Sequence, residues 1–190
     1  MDASRILVGW LDYKTWICVK CLEVGRFTWA WGDKPKPNRC PTCTKPVYEV
    51  ATFQARAAYV GAMFEYACFY LLVKRFNINA RLSSEQSRLY DFEIKNNVVV
   101  EAKGSPKSVE NPDGSISKLG RAGMQRSDTK KKAFANAEEW HTRFPNGHFF
   151  IITNAIPTSL QSYRSEKIDA IYDVTKESQL LRFVKEISAL

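Results

Sequence analysis

The run Val98-Val99-Val100-Glu101-Ala102-Lys103 constrains this chain more than any other stretch. Three consecutive β-branched residues favour a strand. Because they are apolar at both parities, the strand is buried on both faces, as in the interior of an α/β sheet. Successive side chains alternate across a strand, so Glu101 and Lys103 share one face while Ala102 takes the other. Two charged groups at the end of a doubly buried strand are costly unless they are paired or bind a metal. The segment before it, Leu89 to Ile94, also reads as a strand, with Asp91 and Glu93 on one face. Lys95-Asn96-Asn97 joins the two, and because Asn tolerates positive φ the connection reads as a tight hairpin turn.

A divalent cation bridging Asp91 and Glu101 would satisfy both carboxylates, and hard oxygen ligands of this kind suit magnesium. Lys103 beside them would orient an attacking water and counter developing negative charge. The competing reading is a surface hairpin carrying a Glu–Lys pair. Placement favours a site: an acid in the first strand, Glu-x-Lys closing the second, and a turn beginning at Gly104. Upstream, from Thr52 to about Asn77, apolar residues recur at helical steps (Phe53, Ala57, Val60, Phe64, Ala67, Cys68 and Leu71). Glu65 lies beside that apolar face, and Gly61, one turn earlier, admits the close approach of another backbone.

Four of the five cysteines form two identical pairs, Cys18-Val-Lys-Cys21 and Cys40-Pro-Thr-Cys43, with eighteen residues between them. This spacing reads as a tetrahedral zinc site. Four protein ligands leave no open position for water, so the zinc is expected to be structural. Disulfides fit an oxidising compartment, and Met1 to Asp12 show no secretory signal; the working expectation is a soluble, cytoplasmic protein. A redox dithiol needs only one such pair. Cys68 falls in the apolar helical run and reads as a buried thiol. Roughly residues 14–50 resemble a zinc ribbon, and the expected division is a module at 1–50 followed by a larger domain at 51–190.

The formal net charge of +8 points to an acidic partner, nucleic acid before an anionic membrane. Apolar stretches are too short to span a bilayer. Lys34, Lys36 and Arg39 lie on the Pro-rich loop between the cysteine pairs. After the Glu-x-Lys strand, where a polar loop with turn signals such as Asn111-Pro112-Asp113-Gly114 is expected, come Lys107, Lys118, Arg121 and Arg126, with Lys130, Lys131 and Lys132. These are the candidate phosphate contacts, although a solvated helix face accounts equally well for the three consecutive lysines. A helix capped by Ser127 or Asp128 and reaching about Phe144 is expected, with Phe134, Ala137, Trp140, His141 and Phe144 along its inner side. Strands follow at His148–Thr153 and Ala170–Val174, and a closing helix at about Lys176–Ala189. Strand, helix, strand from Val98 to Thr153 makes a parallel crossover, giving a mixed sheet. His141 and His148 read as structural.

Glu65 on a helix, Asp91, and Glu101-Ala102-Lys103 resemble the PD-(D/E)xK nuclease superfamily over roughly residues 52–175. Tyr90 stands where the motif's name has proline. The resemblance implies a restriction-endonuclease-like mixed sheet flanked by helices and magnesium-dependent phosphodiester hydrolysis. Asp91, Glu101 and Ala102 would hold the metal, Lys103 would orient water, and Glu65 would be an accessory acid. The expected function is a type II restriction endonuclease acting on double-stranded DNA as a homodimer, with magnesium and structural zinc; a cognate methyltransferase is not deducible from the chain. Homing, repair or junction-resolving nucleases share these residues. A non-catalytic zinc-ribbon protein that binds DNA or protein is the alternative of another class.

Overall fold

In the computed structural model the described residues are 16–17, 39–45, 48–49, 61, 64–84, 89–94, 97–105, 108–110, 116–118 and 121–190. In chain order the elements begin with β1 (Trp16–Ile17) and β2 (Tyr48–Glu49), then α1 (residues 64–70, continuing as a π-helical turn over Leu71–Arg75) and β3 (Ala80–Leu82). Next come β4 (Phe92–Ile94), β5 (Val98–Lys103), β6 (Ser108–Glu110) and β7 (Ile116–Lys118). The chain ends with α2 (Ser127–Arg143), β8 (His148–Thr153), β9 (Ala170–Asp173) and α3 (Glu177–Ala189).

Five strands form one mixed sheet in the order β3-β4-β5-β8-β9. β3, β4 and β5 are antiparallel neighbours, while β5, β8 and β9 run parallel. β5 is therefore the strand where the sheet changes sense, and it sits in the middle. Its valines go to both sides. Val98 and Val100 join Phe64, Leu71, Phe150 and Phe183 beneath α1 and α3. Val99 joins Ala133, Ala137, Trp140, Phe149 and Ile151 beneath α2. Each fully buried side chain of this size contributes about 1.5–3 kcal/mol, so the double burial of β5 fixes its register strongly. The architecture is α/β, a five-stranded mixed sheet with helices on both faces.

Local chemistry explains the element ends. Asn97, the last residue of the β4–β5 turn, has φ 58°, the left-handed conformation that Asn tolerates. Asn77, at φ 53°, ends the helix after Phe76, and the Ile78 N–H reaches back to the Leu72 carbonyl at 2.9 Å, a closure one residue wider than the Schellman bond after the π-helical turn.

Four expectations need correction. The strand foreseen over Leu89–Ile94 is confined to Phe92–Ile94. The ladder places Phe92 opposite Val100, which would set Asp91 opposite Glu101, yet the Asp91 N–H donates to the Val100 carbonyl at 3.0 Å, one residue out of register. Neither Ser127 nor Asp128 caps α2: Arg126 is the N-cap, no side chain bonds there, and Asp128 instead pairs with Arg126. Phe144 lies past the helix and is 42% exposed, its ring stacked on Trp140 at 4.2 Å. The polar stretch after Lys103 holds an antiparallel pair, β6 with β7, rather than loop alone. β3 was not foreseen either. Among the described residues no helix is long and apolar enough to cross a membrane.

Candidate active site

Asp91, Glu101 and Lys103 meet at the carboxyl end of β5. The face opposite Val100 and Ala102 carries Glu101 and Lys103 toward α2, as alternation requires. Asp91 joins them because its carboxylate replaces a ladder bond: Oδ2 accepts the Ala102 N–H at 2.6 Å. The Lys103 ammonium ion-pairs with Glu101 and stands 3.7 Å from Asp91 Oδ2. It also reaches the Ala102 carbonyl at 3.4 Å. Two carboxylates and one backbone oxygen thus surround a single positive centre. Glu101 is the deep member, with 2% of its side chain exposed, while Asp91 and Lys103 keep 23% and 16%. The site opens to solvent past the latter two.

Glu65 arrives through a packing contact that needs glycine. A Cβ on Gly104 would stand 2.2 Å from Cγ of Phe64. Without it, α1 lies directly against the turn leaving β5, and Glu65, next to Phe64, comes within the field of the other three groups. Gly61 also lies beside this turn, but a Cβ there would meet the Gly104 carbonyl at 3.4 Å, an ordinary contact, so the approach depends on Gly104 rather than on Gly61.

Burial and mutual repulsion raise the acids. Glu65 is pushed up to about 8 by burial first, then by Asp91 and Glu101, with Lys103 opposing. Glu101 rises to about 7, again through burial and then Asp91, with Lys103 and Asn136 pulling it back. Asp91 is raised by burial against the pull of Lys103 and the Ala102 N–H. Burial disfavours the charge on Lys103, yet Asp91 and Glu101 outweigh it and the ammonium is held more firmly than usual.

Two further features escaped the sequence. Asn136 of α2 donates from Nδ2 to Glu101 Oε1 at 3.0 Å. The end of β5 is also anchored by a buried polar knot. Thr153 donates its hydroxyl to the Lys103 carbonyl at 2.7 Å. Asn154 bonds both the N–H and the carbonyl of Ser105, at 3.2 and 2.8 Å, and Ser105 Oγ accepts the Gly123 N–H at 2.6 Å. Gly123 has φ +49°, and a Cβ there would lie 2.3 Å from the Thr153 hydroxyl. Only the helical spacing of residues around Asn136 hinted that it would face the strand.

The other candidates are dispersed. Lys34, Lys36 and Lys107 lie outside the described residues, and Lys118 ends β7. Arg39 donates to the Thr44 carbonyl at 3.3 Å, Arg121 is exposed, and Arg126 is bound to Asp128 at 2.9 Å. His148 bonds Asp169 at 2.8 Å at the opposite end of β8, five residues and about 16 Å from Thr153, and His141 is a buried residue of the last turn of α2. Neither histidine joins the acids.

Cys18 and Cys21 lie outside the described residues. Around Cys40 and Cys43 the chain makes a tight turn: the Thr44 N–H donates to the Cys40 carbonyl at 2.9 Å, and the Thr42 N–H points at Cys40 Sγ at 3.4 Å. Thr44, at φ 60°, reverses the chain. β1 pairs with β2, with Ile17 opposite Tyr48, so the chain entering the first cysteine pair runs beside the chain leaving the second. Among the described residues no three His, Cys, Asp or Glu side chains form a group that could hold a metal ion; the oxygens around Lys103 number two carboxylates and a carbonyl. No protein-family model, curated protein or solved structure matches the chain.

Proposed function

We propose that this chain is a magnesium-dependent DNA endonuclease of the PD-(D/E)xK kind, with a restriction-endonuclease-like catalytic domain. More narrowly, we propose that it cuts a double-stranded site as a homodimer, because one active site per short chain must be doubled to cut two strands. The observation that carries the reading is the convergence of the Asp91 and Glu101 carboxylates and the Ala102 carbonyl on one positive centre at the end of a buried strand. A solvated surface pair has no need of such burial, and a structural pair has no need of a third oxygen.

Those three oxygens are a hard donor set, the chemistry that magnesium selects. Bound there by Asp91, Glu101 and Ala102, the ion would supply Lewis acidity toward a phosphate oxygen. The chain's own groups do the rest. Asn136 holds Glu101 in place. Lys103 orients the attacking water and offsets the charge that grows on the phosphoryl oxygens. Glu65, the accessory acid, is pushed toward its protonated form by burial and by the neighbouring carboxylates in the metal-free site.

A second, structural metal is proposed on Cys18, Cys21, Cys40 and Cys43, within an N-terminal zinc ribbon. The tight turn at Cys40–Thr44 and the β1–β2 pairing support it.

The test is incubation of the full chain with long mixed-sequence DNA in Mg²⁺ or in EDTA. Discrete Mg²⁺-dependent fragments, absent with Lys103→Ala, are expected. A smear would keep the nuclease and remove site specificity. DNA left intact, whether linear or branched, would overturn the reading.

A further inference from the structure

Lys130, Lys131 and Lys132 are three identical side chains in sequence, but a helix turns about 100° per residue and sends them three ways. Lys131 shares its flank of α2 with Ala135, Glu138 and Thr142, all exposed. Lys130 is half-buried on the flank of Phe134, whose ring packs on Tyr163. Lys132 lies one turn ahead of Asn136, and Asn136 touches Glu101. Its flank is therefore the one that faces the end of β5.

Two more observations bear on Lys132. Like Lys131 it is exposed, and among the described residues no carboxylate forms an ion pair with it, whereas Arg126 at the head of the same helix is bound to Asp128. Lys132 also stands near enough to Asp91 for the two opposite charges to attract. An uncommitted cation held over a cluster of acids suits an anion that must approach those acids against their repulsion. It stands on a rigid 17-residue helix, so it costs little ordering when it binds.

We propose that Lys132 is the lysine of α2 that binds the DNA phosphate presented to Asp91, Glu101 and Lys103, and that Lys131 has no part in this. The assignment rests on the endonuclease reading. It makes α2 the second wall of the site, with Asn136 positioning a carboxylate and Lys132 receiving the substrate.

The experiment compares Lys132→Ala, Lys132→Arg and Lys131→Ala in the full chain, by cleavage kinetics in Mg²⁺ and by binding of a fluorescent duplex in EDTA across a salt series. Lys132→Ala should lower cleavage by at least about tenfold, with an unchanged melting temperature. It should reduce the slope of log affinity against log salt by about one. Lys132→Arg should recover most of both, and Lys131→Ala should match wild type. Equal effects of Lys131→Ala and Lys132→Ala in both assays would overturn the assignment. Wild-type protein that binds the duplex but never cuts it would overturn the endonuclease reading and this assignment together, and that failure is visible before any variant is compared.

Discussion

The Asp91 carboxylate accepts the Ala102 N–H at 2.6 Å, tying the acid just ahead of β4 to the strand that carries the other two groups of the site. The bond makes Asp91 both structural and chemical, and the two roles separate by substitution. Asp91→Asn keeps an oxygen acceptor and loses the charge; it should fold with near wild-type stability and cut at least about 100-fold more slowly. Asp91→Ala also leaves a backbone donor without its partner and should cost a further 1–3 kcal/mol or so. Urea titration beside cleavage assays checks this; equal stability of the two variants would remove the structural role.

The raised acids make stability depend on pH. Glu65 and Glu101, at about 8 and about 7, bind protons more tightly in the folded than in the unfolded chain. Their stabilisation is complete below the ordinary carboxylate range and is lost as pH rises through the folded values. In EDTA, wild-type stability should therefore fall between about pH 5 and about pH 8, and Glu65→Gln should flatten the upper part of that fall. Denaturant midpoints across this range decide it, and a wild-type curve that rises instead would contradict the buried acid cluster.

Gly104 has no positive φ to protect, so the cost of a side chain there comes from Phe64 alone. Gly104→Ala should destabilise the protein by about 1–3 kcal/mol through overpacking, and Phe64→Leu in the same chain should recover part of it. Cleavage should drop with Gly104→Ala, since α1 carries Glu65. A double-mutant cycle by thermal melting provides the measurement; additive effects would mean that the two residues do not meet.

Metal analysis of freshly purified protein should find about one zinc per chain, lost on Cys40→Ser. Because all four proposed ligands precede residue 51 in the sequence, zinc loss should unfold the N-terminal module while the melting of the five-stranded sheet persists. Protein purified without zinc would refute the site.

Much of the fold was legible because its signals are local. Val98–Val100 announced a strand buried on both faces, Asn97 announced the turn, and the limits of β8 and α3 follow directly from apolar runs. Asp91, Glu101 and Lys103 could be read as neighbours because a hairpin and a period of two bring them together within thirteen residues. The short strands β3, β6 and β7 were missed, since three residues of mixed polarity carry no period.

The sequence by itself determined the hairpin, the alternation that puts Glu101 and Lys103 on one face, and the paired cysteine spacing, because each follows from backbone geometry over a few residues. Only the tertiary structure decided that Asn136 supports Glu101 across 35 residues and that Asn154 anchors Ser105 across 49. It also decided which flank of α2 meets Glu101, the flank that Asn136 shares with Lys132 one turn away. These are single polar contacts between distant segments; they have no repeat or pattern along the chain and exist only once burial of the two apolar faces has fixed the helices on the sheet.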